Sequence, residues 1–194
     1  AGVSCAADKC AADLIKGDIV ISEIMNQSDG CGVAGRDHDG EYIEVYNTTA
    51  GSIDLQGLDI DEDVEDHGTY VGSSTVIAAG SYGLLSFTYN CWSDVADHHY
   101  GYSSIRLNDG SDTVTLSYDD AELDSVGFTD SWPASNGRSM QFNMASLPSG
   151  TDWTSANDNA SNWCSSPDTV MVASFGGVSE SVDYGTPAAV NVCD

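Results

Sequence analysis

The chain has 194 residues and a mass of 20.3 kDa, and 41% of the residues are hydrophobic, which is enough for one domain with a packed core. Acidic residues number 31 against 5 basic ones, so the formal net charge is −26. This charge argues against a nucleic-acid binder and against docking on an anionic membrane surface, since both need Lys and Arg. No apolar run approaches the roughly 20 residues that span a bilayer, so we expect no membrane insertion.

Residues 1–17 are predicted to form an N-terminal arm with a short helix. Ser4 is a helix-capping residue, the alanines that follow favour helix, and Gly17 is suited to end it. Cys5 and Cys10 are five residues apart and would point in different directions on a regular helix. Each is therefore expected to pair elsewhere, within the chain or with another copy of it, rather than with the other.

From Gly17 onward, short runs of β-branched and aromatic residues alternate with turn signals. In chain order, we predict strands at 18–25, 42–46, 53–60, 75–78, 82–87, 112–118, 122–128 and 138–142. Gly57 interrupts the third run, where a β-bulge is expected. Residues 88–104 and 151–185 have weaker periodicity and are predicted to be long loops. Many short strands without long helical stretches predict an all-β sandwich.

The six cysteines are scattered along the chain: Cys5, Cys10, Cys31, Cys91, Cys164 and Cys193. Their number is even, and no pair has the C-x-x-C spacing of a zinc ribbon or a redox site. This pattern predicts disulfides formed in an oxidising compartment, with unpaired buried thiols as the alternative. The first residue is Ala, which we interpret as the result of signal-peptide removal, although a cloned fragment would look the same. A secreted or cell-surface protein is therefore expected.

Several motifs, in a fixed order, resemble those of a known family. They are Ile21-Ser-Glu-Ile-Met25, Gly40-Glu-Tyr-Ile-Glu-Val-Tyr-Asn47, Ile53-Asp-Leu-Gln-Gly-Leu58, Leu107-Asn-Asp-Gly-Ser-Asp-Thr-Val-Thr-Leu116, Trp132-Pro, Gly137-Arg-Ser-Met140 and Gly185-Thr-Pro-Ala-Ala-Val-Asn191. Each motif alone is weak. Together, over about residues 18–191, the chain closely resembles bacterial lamin-tail domains.

The resemblance implies an immunoglobulin-like β-sandwich and a non-catalytic module, of a kind found alone or beside secreted enzymes and surface proteins. Residues 18–194 are accordingly predicted to be one lamin-tail-like domain, with inserted loops near residues 27–40, 88–104 and 165–185. The loops look longer than the family pattern, and the arm lies outside it. Whatever is particular to this protein is expected there.

No catalytic motif is recognised in the sequence. It has no G-x-S-x-G elbow and no H-E-x-x-H helix, and the even set of cysteines argues against a Cys–His site. The pair His98-His99, near Asp94 and Asp97, has the chemistry of a transition-metal site, but a solvated loop is the favoured interpretation. The chain is therefore predicted not to be an enzyme and to need no cofactor; a small hydrolase with a site on an inserted loop is the remaining alternative.

Calcium is the predicted small partner, because it takes about six to eight oxygen ligands, several of them from loop carboxylates. Two segments offer alternate acids, one with Asp59, Asp61, Asp63 and Asp66 and the other with Asp37 and Asp39. Neither is an EF-hand, since no glycine stands at the sixth position from Asp59 or from Asp37. We expect an irregular Ca²⁺ site, chiefly in the first segment; a solvated acidic edge that prevents wrong strand pairing is the alternative.

These features predict a secreted structural, adhesion or interaction module that acts through its surface and edges. The favoured hypothesis is a subunit of an extracellular filament or surface assembly, stabilised by disulfides and Ca²⁺, in which the two-cysteine arm locks onto a neighbouring copy. The expected partners are copies of the chain or other extracellular or surface proteins. The alternative is an accessory binding module of a larger secreted hydrolase.

Overall fold

Short β-strands, joined by turns and loops, form most of the ordered architecture. The computed structural model describes residues 5–29, 37–63, 67–92, 94–101, 105–167, 171–173 and 183–193. The strands are β1 (Lys9–Cys10), β2 (Ile19–Met25), β3 (Tyr42–Asn47), β4 (Ile53–Asp54), β5 (Asp59–Glu62), β6 (His67–Tyr70), β7 (Val76–Ile77), β8 (Tyr82–Ser86), β9 (His98–His99), β10 (Asp112–Tyr118), β11 (Ala121–Phe128), β12 (Met140–Phe142), β13 (Trp163–Ser165), β14 (Met171–Ala173) and β15 (Asp183–Tyr184). The short helices are α1 (Tyr89–Trp92) and α2 (Trp153–Ala156), with 3₁₀ turns at Ala11–Asp13, Asp37–Gly40, Met144–Ser146 and Ala160–Asn162. Within these ranges, every helix is too short or too polar to cross a membrane.

The larger sheet has six strands in the order β13-β12-β2-β3-β8-β9. Its central pair, β2 and β3, is antiparallel, and a bulge in β2 between Ile21 and Glu23 brings Glu23 directly opposite Glu44. Because side chains alternate between the two faces of a strand, Ile43 and Val45 point into the core while Glu44 points to the outer face. The strand predicted at 42–46 is confirmed.

The second sheet has four strands in the order β11-β10-β5-β6. Its hairpin between β10 and β11 turns at Asp119 and Asp120, whose φ angles of 50° and 63° are positive. A two-residue turn of this kind matches the right-handed twist of the strands, and Asp tolerates the left-handed conformation better than most residues. The predicted strand at 112–118 is confirmed with the same bounds.

The two sheets enclose one hydrophobic core. The larger sheet contributes residues such as Ile21 and Leu85, and the four-stranded sheet contributes residues such as Ile60, Leu116 and Val126. Trp132 and Trp163 pack at one end of this core with ring centroids 5.6 Å apart. The predicted all-β sandwich is therefore confirmed.

Gly57 does not form the expected bulge but separates two strands. Its φ of +90° is disfavoured for residues with a Cβ, and a turn closes there with the Leu58 N–H donating to the Leu55 carbonyl. β4 lies before this turn, in a three-stranded sheet of order β1-β4-β7, and β5 lies after it, in the four-stranded sheet. Residues 53–60, predicted to be one strand, thus contribute to two strands that belong to different sheets.

The described part of the arm contains no α-helix, and its one helical element is the 3₁₀ turn Ala11–Asp13. Lys9 and Cys10 form β1, which pairs in parallel with β4, and the Lys9 N–H donates to the Ser52 carbonyl at 3.1 Å. Cys5 and Cys10 are joined in a disulfide with their Cα atoms 5.6 Å apart. Five residues of α-helix advance about 7.5 Å, which exceeds this span, so the disulfide and a regular helix exclude each other.

The disulfides correct the expectation that Cys5 and Cys10 pair elsewhere. A second disulfide joins Cys164 of β13 to Cys193, close to the C-terminus. Cys91 is also disulfide-bonded, whereas Cys31 lies outside the described residues. The disulfides indicate an oxidising environment.

The predicted inserted loops are described only in part. The loop near 88–104 contains α1 and the edge strand β9, whereas residues 30–36, 168–170 and 174–182 of the other two lie outside the described ranges.

The two described disulfides should contribute unequally to stability. They close loops with sequence separations of 5 and 29 residues, and longer loops lose more entropy when closed in the unfolded chain. We expect the pair Cys164→Ser/Cys193→Ser to lower the free energy of unfolding by about 3.5 kcal/mol and Cys5→Ser/Cys10→Ser by about 2 kcal/mol. Guanidinium unfolding of the two double variants measures both values, and an equal or larger loss from the shorter loop would contradict this expectation.

Candidate functional site

The acidic segment predicted to bind calcium lies at the end of the four-stranded sheet. Asp59 and Asp61 alternate along β5 with the buried Ile60, so both face away from the core, and Asp63 is exposed in the turn that follows. Asp66 lies outside the described residues. In the ranges that the structure covers, no three His, Cys, Asp or Glu side chains are grouped as metal ligands. Calcium binding stays a prediction for this segment.

The second acidic pair belongs to the 3₁₀ turn Asp37–Gly40. Asp39 is buried, and its carbonyl accepts a hydrogen bond from Thr88 Oγ1 at 3.2 Å. The side chain of Asp37 is not among those described. The pair therefore adds no metal cluster to the described part of the chain.

The two adjacent histidines form an edge strand instead of the expected solvated loop. β9 pairs in parallel with β8, and His99 Nδ1 lies 2.6 Å from Ser86 Oγ. The carboxylate of Asp97 accepts a hydrogen bond from the Leu84 N–H. Partial burial lowers the pKa of both His98 and His99. These contacts give the two residues a structural role in the sheet.

A network of buried carboxylates lies on the outer face of the six-stranded sheet, and the sequence analysis missed it. Glu23 is fully buried and accepts hydrogen bonds from Tyr42 Oη, Ser139 Oγ, Gln141 Nε2 and both the N–H and the hydroxyl of Thr186. Hydrogen bonds of this kind compensate for the loss of hydration of a buried carboxylate. The network fastens residues 183–193, which we call the C-terminal segment, across the sheet.

Glu44 is the second carboxylate of this network. It accepts hydrogen bonds from Ser22 Oγ and from the Ala188 N–H, each at 2.7 Å. Burial raises the pKa of Glu44 well above its usual range, and the neighbouring charge of Glu23 raises it further. Two close buried acids, one of them with a raised pKa, are typical of catalytic sites. Both are closed off from solvent here, because the C-terminal segment covers them.

The C-terminal segment approaches the sheet closely at Gly185. A Cβ at this position would collide with Tyr42 Oη and with Glu23 Oε1. Further along the segment, Asn191 Nδ2 donates to the carbonyls of Ser22 and Phe142. The motif at 185–191 is thus a structural cover over the acids.

Beyond this cover, aromatic rings remain partly exposed at one end of the outer face. Tyr46 of β3 and Tyr82 of β8 are direct cross-strand neighbours with ring centroids 4.9 Å apart, and the Trp153 ring lies 5.7 Å from that of Tyr46. They line a cavity of about 250 Å³, together with Phe142, Met144 and Val190. We call this cavity the aromatic groove.

A second, shallow groove of about 400 Å³ adjoins the aromatic groove and shares Met144 and Trp153 with it. Its wall is the loop of residues 147–154. In that loop the hydroxyls of Thr154 and Ser155 donate to the Asp152 carboxylate and hold its pKa below its usual range. These hydrogen bonds order the turn that positions Trp153 and keep a negative charge beside it.

The motif order, the sandwich and the cover at 185–191 can now be compared with known proteins. The sequence model of the Lamin Tail Domain family matches residues 15–130, more than half of the chain. The chain belongs to the Lamin Tail Domain family. This confirms the family suggested by the sequence motifs, and the family is a non-catalytic immunoglobulin-like module. A search of curated proteins gives no match.

The aromatic groove is only partly built from the matched lamin-tail segment. Tyr46 and Tyr82 lie within residues 15–130, whereas Met144, Trp153 and Val190 come from the chain beyond it. The buried Glu23 and Glu44 are likewise within the matched segment, and Thr186 lies outside it. In this lamin-tail domain, the residues beyond 130 therefore both cover the outer sheet face and shape its open end.

Asp124 is another buried acid and links the two sheets. Its Oδ2 accepts hydrogen bonds from the Ile21 N–H and from Asn157 Nδ2, each at 2.7 Å. Burial raises the pKa of Asp124 to about 7. The acid is therefore half-protonated near neutral pH in the folded lamin-tail domain.

Asp124 should make the domain less stable as the pH rises from about 4 to about 7. Its pKa is about 7 in the folded chain against a reference value of 3.8, so the folded state holds a proton that the unfolded chain has released, and the free energy of unfolding falls through this window. Asp124→Asn keeps an acceptor for Ile21 but cannot ionise. We expect this variant to gain stability relative to wild type from pH 4 to pH 7 and to change no further above that.

Thermal unfolding at a series of pH values checks this expectation. Asp120→Asn, in the exposed hairpin turn, is the matched control, since Asn also tolerates a positive φ. A difference between Asp124→Asn and wild type that is the same at every pH would show that Asp124 titrates normally.

Proposed function

We propose that the chain is a secreted, non-catalytic interaction module, whose partners are other extracellular proteins or copies of itself. The observation that carries this proposal is the contrast on the outer sheet face, where the paired acids are covered and the aromatic groove is open. Glu23 and Glu44, which are of a residue type that often performs catalysis, thus have a structural role. The aromatic groove is the concave surface left for a partner to bind. The disulfides and the acidic composition support a location outside the cell.

Covalent locking through the N-terminal arm is not part of this proposal. Cys5 and Cys10 are bonded to each other, so they form no disulfide with a neighbouring copy. The arm instead adds β1 to the three-stranded sheet of its own chain. Any assembly through the arm would have to be non-covalent. The accessory-module hypothesis uses the same surface, and the complete open reading frame decides it: a catalytic domain beside this segment would establish that role.

A filament or surface assembly is the second candidate, and the edge of the four-stranded sheet favours it. β6 is the outer strand there, and Tyr70 is 63% exposed. Such an edge offers backbone groups to a strand of another copy. The carboxylate of Asp61 lies against Gly68 of this same strand, so two copies would bring like charges together. Cations that neutralise these acids should therefore promote association.

Millimolar Ca²⁺ should shift the native protein to larger species more strongly than NaCl of equal ionic strength, because a divalent ion can bridge carboxylates. Light scattering after size exclusion, with electron microscopy of the same fractions, measures this. Asp61→Asn/Asp63→Asn should weaken the response, whereas Asp119→Asn/Asp120→Asn removes two charges at the distant hairpin turn and should not. A monomer in every condition would contradict self-assembly and leave binding to other proteins as the function.

A further inference from the structure

The aromatic groove is the part of the outer sheet face that no chain segment of the described structure covers. At the opposite end of that face, Trp92 packs edge-on against Tyr42 at 5.1 Å, and in the middle the C-terminal segment lies over Glu23 and Glu44. At the end of that face where the groove lies, Tyr46 and Tyr82 remain partly exposed. Partly exposed aromatic rings in a concave site are a common way to present apolar and π surface to a ligand.

Two amide oxygens at the groove are engaged in structure. Asn191 Oδ1 lies 3.0 Å from Thr186 Oγ1, and Asn143 Oδ1 accepts from the Ser146 N–H. The rings of Tyr46, Tyr82 and Trp153 are the main surface that the groove offers to a ligand.

The charge around the groove is negative. Asp152, whose pKa is held below its usual range by hydrogen bonds from Thr154 and Ser155, lies beside Trp153 in the adjoining groove. Burial raises the pKa of the Tyr82 hydroxyl to about 12, so this ring stays neutral. None of the described residues that line the two grooves is Lys or Arg. The groove therefore combines π faces with a negative potential.

We infer that the aromatic groove binds a cationic side chain, Lys or Arg, presented by a basic partner protein. The cation would rest on the faces of Tyr46, Tyr82 and Trp153, and its methylene stem would lie along Met144 and Val190. The inference rests on the proposed function and names the chemistry of the partner.

A second copy of the chain is a poor source for this cation. The chain has only 5 basic residues against 31 acidic ones. Lys9 and Lys16 are each 2.7 Å from a carboxylate, of Asp18 and Glu122, and Arg138 lies 4.6 Å over the ring of Tyr184. The net charge of −26 is complementary to a basic partner.

Titration of the ¹⁵N-labelled protein with Nα-acetyl-lysine N-methylamide, followed by NMR, tests this inference. The neutral match is Nα-acetyl-norleucine N-methylamide, which has the same stem without the charge, and the arginine analogue is a second cationic probe. We expect the cationic probes to bind about three- to tenfold more tightly than the norleucine probe, to weaken as NaCl is added, and to shift the Trp153 indole signal. Equal affinity for the lysine and norleucine probes, or signal changes confined to other surfaces, would overturn the inference.

Variants separate the groove from the rest of the surface. Tyr82→Leu and Trp153→Leu should each reduce the affinity for the cationic probes at least about threefold, and Tyr82→Phe should retain it because the ring remains. Tyr70→Leu removes an exposed ring far from the groove and is the matched control. If all four variants bind like wild type, the groove is not the site.

The same variants distinguish this inference from the proposed function. Association of the protein with itself or with extracellular material is measured independently of the probes. If association persists in Trp153→Leu and wild type does not discriminate between the probes, the module function stands and the cation site is rejected. If wild type binds the cationic probes selectively, with signal changes at the groove that Trp153→Leu abolishes, the cation site stands whether or not self-association is found.

Discussion

The cover of the outer sheet face depends on the hydrogen bonds that the buried carboxylate of Glu23 accepts. Its hydrogen bonds reach Tyr42 on β3, Gln141 on β12 and Thr186 in the C-terminal segment, so one side chain connects three parts of the chain. An ion buried without such partners costs several kcal/mol, so the acid and its donors are only stable together. The cover of the outer sheet face is consequently held by these hydrogen bonds and by the disulfide at Cys193.

Most of the strands were predictable because the alternation of side chains is a local property. The runs at 112–118 and 42–46 show this, and both form strands. Gly57 was misinterpreted because a local sequence break does not reveal that the chain is changing sheets. The helix expected near Cys5 and Cys10 fails because alanine propensity is weak beside a disulfide and strand pairing.

The aromatic groove was harder to predict, because its residues meet only in three dimensions. Tyr46, Tyr82 and Trp153 are far apart in sequence, and no local pattern joins them. Glu23 and Glu44 did carry a signal, since an acid within an apolar strand is out of place unless it is partnered. The acids between Asp59 and Asp66 were more conspicuous in sequence, and Asp61 and Asp63 are exposed.

The C-terminal segment is anchored at both ends, by Thr186 on Glu23 and by the bond from Cys193 to Cys164. Between these anchors Val190 is 66% exposed, which makes it an accessible position for a protease. A chain cut at that point would not release its last residues, because the sulfur bridge still holds them to β13. A molecule nicked there would therefore keep its full mass plus that of one water, and it would lose the short C-terminal peptide only after the disulfide is reduced.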